Sequence, residues 1–208
     1  MAVPDSLPQR VFLLAYNPDK GRVCLGTHLG AMLRAAALAE LYLGGHLTDE
    51  GGGAAVGARR PGHDPVLEAI LEEIAGSKPR KWQSWVDRGQ RATVGAVRRQ
   101  LADAGVVRLE PRRILGLFPT TRVTVRDPRV RKELLRRLSG TLRNPIGRTD
   151  PADAALVTIV AAGNLKLVLD RRTKRANKRR IEGLTELTGP IGPALRKSVQ
   201  TAEAAAAG

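Results

Sequence analysis

The residues best placed to do chemistry lie between positions 105 and 128. There Ile114, Leu115, Leu117 and Phe118 form an apolar cluster bracketed by Arg108, Arg112, Arg113 and Arg122. An apolar tip ringed by cations suits an anionic membrane interface, with side chains dipping below the headgroups and guanidinium groups meeting phosphate. The same stretch also reads as a buried hairpin strand with solvated flanking charges. Either way, Gly105 has to end a preceding helix and the chain over 106–125 has to fold back on itself.

Groups for covalent or metal chemistry are sparse. His28, His46 and His63 are isolated, and none shares a helical face at ligand spacing with another His, Cys or Glu. Cys24 is the only cysteine, so the chain forms no internal disulfide and no zinc spacing. Gly51-Gly-Gly53 lacks the preceding strand and following helix of a dinucleotide fingerprint, and no glycine-rich loop ends in Lys-Ser or Lys-Thr. Asp49-Glu50, beside those glycines, suits a turn. The expectation is a protein that is not an enzyme and holds no metal or cofactor. A deep pocket placing His28 or His46 beside a carboxylate would revive the enzyme reading.

Charge points to the partner class. The 35 Lys and Arg outnumber the 20 Asp and Glu in 208 residues, for a formal net charge of +15. Such a surface favours a polyanion, either phospholipid headgroups or nucleic acid. With aromatics at 3%, single-stranded nucleic acid finds few stacking platforms, and the core has to be built from Leu, Val, Ile and Ala. The first ten residues lack the basic stretch and apolar segment of a secretory signal. The longest mostly apolar run, about 154–162, falls short of the roughly 20 residues of a spanning helix. We expect a cytoplasmic location with peripheral association at the inner face of the membrane.

The elements that must position these groups read mainly as helices. Ser6 and Gln9 resemble a capping box ahead of Val11 to Leu14, closed by the turn-forming Asn17-Pro-Asp-Lys-Gly21. Leu29, Met32, Leu33, Ala36, Ala37 and Leu41 recur at helical spacing, and Gly44-Gly45 supplies the stop. A small hairpin over about 46–60 follows, then a helix on Val66, Leu67, Ile70, Leu71 and Ile74. Trp82 and Trp85 lie on one face of a short helix, where packing explains them better than ligand binding. Residues 91–104 form a helix with Val94, Val97, Leu101 and Ala104 inward and Arg91, Arg98 and Arg99 outward. After the hairpin come a basic helix opened by Asp127-Pro128, a loop over 142–150 and an apolar, central helix opened by Asp150-Pro151. A helix over 165–181 follows, densely basic from Arg171 to Arg180, and the Ala-rich tail over 202–208 reads as frayed or disordered. The sum is one globular domain over 1–208, mainly α, with one or two β-hairpins.

The ordered set Leu33-Arg34, Leu38-Ala-Glu-Leu41, Leu43-Gly-Gly45, Gln100-Leu-Ala-Asp-Ala-Gly-Val-Val107 and Ile114-Leu-Gly-Leu-Phe-Pro119 resembles the bacterial members of the Golgi phosphoprotein 3 family. The likeness extends from about Ser6 to Arg180. It implies a mostly α-helical fold around a central helical bundle with a protruding β-hairpin, without known enzymatic activity. It also implies peripheral membrane binding through phosphatidylinositol 4-phosphate, and an apolar hairpin that assists docking or oligomerisation. Eukaryotic members also grip the cytoplasmic tails of membrane-bound glycosyltransferases, a role that need not carry over.

The resemblance transfers the family's headgroup site in part. Arg34 matches the arginine of the first long helix and Arg91 one of two arginines before the hairpin. Val94 stands where the second would be, and the family's tryptophan position falls near Leu25. Arg34 and Arg91, with Arg88, Arg98 or Arg99, would then hold an anionic headgroup by charge-assisted hydrogen bonds while Leu115, Leu117 and Phe118 enter the interface. The competing reading is a winged-helix-like nucleic-acid binder, because a helix, a glycine stop and a basic hairpin fit that pattern too. An apolar tip over 114–118 is poorly suited to a phosphate backbone, which disfavours nucleic acid.

Overall fold

The computed structural model describes residues 3–23, 28–58, 62, 64–114 and 118–208. Helix α1 (Leu7–Leu14) starts after Ser6, whose hydroxyl makes no capping bond. Instead the Glu40 carboxylate, reaching over from the next helix, accepts from the Leu7 N–H at 2.8 Å. The turn expected at Asn17 to Gly21 joins the short strands β1 (Tyr16–Asn17) and β2 (Arg22–Val23).

Helix α2 (Leu29–Leu43) carries eleven buried residues, spread round its whole circumference. A helix apolar on all sides belongs at the centre of a bundle. It packs against α1 and, further along the chain, α3 (Pro65–Ala75), α4 (Trp82–Asp87), α5 (Gln90–Asp103), α7 (Pro151–Ala162) and α10 (Ile191–Ala207). Helix α7, buried from Ala154 to Ala162, shares the centre, as its composition predicts. Between α2 and α3, strands β3 (Leu47–Glu50) and β4 (Gly53–Val56) make the small hairpin, and β5 (Arg80–Lys81) adds to its edge.

The glycine and proline punctuation works as physical chemistry predicts. Gly45 and Gly105 take positive φ just after α2 and α5, where a Cβ would be strained. Asp64, Asp127 and Asp150 each accept backbone N–H bonds at the starts of α3, α6 (Pro128–Arg143) and α7, with proline at the first helical position. A 3-10 turn, Ile146–Arg148, occupies the expected loop before α7. Both tryptophans are buried, with the Trp82 ring edge-on to Tyr42, in keeping with a packing role.

The predicted hairpin is an eight-rung antiparallel ladder, β6 (Val107–Ile114) on β7 (Phe118–Val125). Its burial declines with distance from the bundle. Val107 opposite Val125 is buried, Leu109 opposite Val123 is half covered, and Pro111 opposite Thr121 is exposed on the β6 side. The ladder therefore leaves the core within three alternate rungs, and at about 3.4 Å per residue its arms are close to 25 Å long.

Three expectations need correction. The helix expected over 165–181 is not one helix: residues 165–170 form turns, and Asn177 separates α8 (Arg171–Ala176) from α9 (Lys178–Leu187). The 202–208 tail does not fray at 202, because α10 stays helical through Ala207, built from the strongest helix former and tied at Glu203 to Asn164 and His28. Ala104 faces solvent rather than the core, and Thr93 is buried on α5 beside Val97 and Leu101.

Candidate anion-binding and membrane-docking site

Arg34 sits in the middle of α2 with no wet face around it, so its charge has to be met inside the protein. Only 3% of its surface is exposed. Its Nε donates to the backbone carbonyl of Trp85 at 3.0 Å, and its Nη2 donates to the Glu73 carboxylate on α3. The other Glu73 oxygen accepts from Arg88 Nε at 3.2 Å. Arg88 in turn lies over the Trp85 ring, its guanidinium carbon 5.8 Å from the centroid. Burial alone would push the Glu73 carboxyl up. The hydrogen bonds and charges of Arg34 and then Arg88 outweigh burial and hold it below the usual carboxylate value.

This cluster, buried at Arg34 and open to solvent at Arg88, lies against the junction of α4 and α5. Gly89 caps α5 in the left-handed region at φ 61°, and a Cβ there would lie 3.2 Å from Arg34 Nη1. The first turn of α5 contains no acidic residue and no side-chain cap, so the N–H groups of Gln90, Arg91 and Ala92 have no acceptor among the described residues. Positive backbone dipoles at a helix start attract anions. Exposed Arg91 stands in that turn with exposed Arg88 just before it.

Of the four residues expected to meet a headgroup, Arg34 and Arg88 share Glu73, and Arg91 is close by in sequence on the same helix start. Arg34 serves as the buried support of the site, since two of its nitrogens are engaged internally. Arg98 lies two turns further along α5, about 10 Å down the axis from Arg91. It is half covered, and its buried Nε finds no partner among the described residues. Val94 is partly buried against the core. Leu25, near the family's tryptophan position, lies outside the described residues. So do Leu115 and Leu117, while Ile114 and Phe118 are placed through their backbones alone, as the last rung of the ladder. Sequence reasoning missed Glu73 and Gly89. A lone arginine in an otherwise apolar helix was the available signal that a carboxylate must face it.

His46 does share a groove with Glu40 and Asp64. Both carboxylates are committed to helix starts: Glu40 to Leu7, and Asp64 to Val66, Leu67 and the Gln100 amide. His28 pairs with Glu203 at 3.5 Å. Among the described residues no group of three His, Cys, Asp or Glu is arranged to hold a metal ion, and no helix is long and apolar enough to cross a membrane.

A model of the Golgi phosphoprotein 3 (GPP34) family matches residues 7–202. The chain belongs to that family. The match covers every helix from α1 into α10, well past the motifs that carry the resemblance in sequence. No curated protein matches this Golgi phosphoprotein 3 family member significantly. Its helical body and projecting hairpin agree with what the family implies. Arg34, the arginine of its first long helix, is buried on α2 beside the α4–α5 junction.

Proposed function

We propose that this protein is a non-enzymatic peripheral membrane protein that binds anionic phospholipid headgroups at the α4–α5 junction, phosphatidylinositol 4-phosphate being the ligand implied by its family. The observation that carries this reading is the Arg34–Glu73–Arg88 cluster, which braces an uncapped helix start bearing Arg91. A phosphate monoester there accepts from backbone N–H groups and from Arg91, with Arg88 alongside. The hairpin supplies the second contact: burying Leu115, Leu117 and Phe118 contributes several kcal/mol on the usual area scale, about 2 kcal/mol per side chain. Each cation near an anionic leaflet adds about 1 kcal/mol. Neither contribution alone makes a firm anchor, and together they make a stable one.

In this reading the protein works in the cytoplasm at the inner face of the membrane as an adaptor. Its hairpin is also available for self-association, and cytoplasmic tails of membrane proteins are its candidate clients. Co-sedimentation tests the lipid reading, using neutral vesicles, vesicles with phosphatidylinositol and vesicles with phosphatidylinositol 4-phosphate, with a duplex DNA shift run alongside. Salt-resistant binding to one anionic lipid that is lost in Arg91→Ala is the expected result. Binding to every polyanion, DNA included, that disappears with salt would reduce the function to generic attraction by the net charge.

A further inference from the structure

A second concentration of positive charge surrounds a cavity in the C-terminal half of the molecule. The space, ≈ 480 Å³, lies between α8, α9 and α10. Lys166, Arg171, Lys174, Arg175, Lys178 and Arg196 line it, against only two carboxylates, Glu182 and Glu203. Its floor is apolar, formed by the buried side chains of Leu169 and Ile181. Glu182 is 3.9 Å from Lys178, and Glu203 is shared between Asn164 and His28. Lys166, Arg171, Arg175 and Arg196 have no side-chain hydrogen bond or ion pair among the described residues.

Lys174 is the most informative of these cations. Its Nζ donates to the Ala161 carbonyl at 2.6 Å and to Asn164 Oδ1 at 2.8 Å, both neutral acceptors. An ammonium has three N–H donors, so one is left over. Burial, with the nearby charge of Arg196, lowers its affinity for its proton. The residue holding it, Asn164, has φ 52° and is the one non-glycine among the described residues in the left-handed region. A half-buried lysine held by the asparagine that ends α7 is a positioned group, unlike a solvated surface charge.

The arrangement favours an anion in the cavity. The volume falls in the range of small-molecule sites. Cations converge on it from the segment before α8 and from three helices, so the charge is distributed over more than one phosphate. Arginine forks and lysine point charges together suit phosphoryl oxygens, and the Leu169–Ile181 floor suits an organic body. We infer that this cavity is a second binding site, separate from the α4–α5 junction, for a small ligand carrying at least two phosphoryl groups. That chemistry is offered equally by a soluble polyphosphorylated metabolite and by a polyphosphorylated lipid headgroup.

Calorimetric titration of the full chain with pyrophosphate at near-physiological salt tests the site, using Arg196→Gln, Lys174→Met and the surface control Arg136→Gln. Phosphatidylcholine vesicles with and without phosphatidylinositol 4,5-bisphosphate form the second arm. The expected result is binding of pyrophosphate that weakens about tenfold in Arg196→Gln and in Lys174→Met but stays within about twofold in Arg136→Gln. Loss of vesicle binding in the same two variants identifies a lipid source, and loss confined to pyrophosphate identifies a soluble one. Arg196→Gln guards against a folding defect in Lys174→Met, because Arg196 is exposed. Absence of pyrophosphate binding, or equal weakening in all three variants, overturns the site. Neither result bears on the α4–α5 junction, which is tested through Arg91.

Discussion

Arg34 on α2, itself buried, pairs with the half-buried Glu73 on α3 and donates to the Trp85 carbonyl on α4, tying the central helix to the two helices before α5. Such a pair stabilises little against an apolar replacement of both partners, but removing Glu73 strands a buried guanidinium. The pair therefore specifies geometry: it sets where Gly89, and with it the first turn of α5, can lie.

Arg34→Met is expected to destabilise the protein by about 3 kcal/mol, because the Trp85 carbonyl loses its donor and Glu73 keeps only Arg88. Urea unfolding monitored by circular dichroism measures this. Stability equal to the parent would show that the pair is not part of the framework. Arg34 variants are accordingly poor probes of lipid binding, and Arg91 is the cleaner choice.

Acid stability separates two carboxylates with opposite shifts. Glu73 has its native proton affinity lowered from the ordinary 4.5, so its stabilising contribution is full above that pH and is lost as pH falls through the lower native value. Glu40 is raised from 4.5, chiefly by burial, so the fold gains as pH falls through its raised value and that gain is complete below 4.5. Glu73→Gln should lower the melting temperature at neutral pH and flatten the acid loss. Glu40→Gln should raise it at neutral pH. Shifts of the same sign in both variants would contradict this assignment.

Gly89→Ala places a Cβ at positive φ and within 3.2 Å of Arg34 Nη1. The expected loss is about 1–2 kcal/mol, read from thermal or urea unfolding. An unchanged midpoint would mean that the α4–α5 junction relaxes freely and braces nothing.

The hairpin should divide into a root that folds and a tip that docks. Phe118→Asp is expected to weaken vesicle binding by about tenfold or more with an unchanged melting temperature. Val123→Asp, at the buried root, should unfold the protein or lower its melting temperature sharply. Unfolding by Phe118→Asp would make the tip a core element and remove it from the docking surface.

Most of the helical framework is legible in the chain because the breaks are chemically marked. Asp-Pro pairs open α3, α6 and α7, and glycine follows α2, α3 and α5. The division of α8 from α9 is not legible, since Asn177 sits among residues that would all continue a helix. Helix α10 is hidden because an alanine-rich tail looks the same whether or not something holds it. The candidate site is legible in composition but not in depth. Arg34 and Arg91 are both arginines on helices, and only the apolar surroundings of Met32-Leu33-Arg34-Ala35-Ala36 mark the first as buried. The cavity around Lys174 depends on α8, α9 and α10 meeting, a long-range fact that local periodicity does not contain.

Helix α2 is enclosed by six other helices, which leaves no seam through the middle of the protein along which one half could swing against the other. Encounter with a membrane is then a collision of a stiff body with a soft surface, and no internal rearrangement has to precede it. The observed association rate should rise in proportion to vesicle concentration without levelling off, and a plateau in stopped-flow traces would reveal a gate that this packing does not provide. Residence time, set by how the basic junction and the hairpin let go, becomes the quantity on which the protein's stay at the membrane depends.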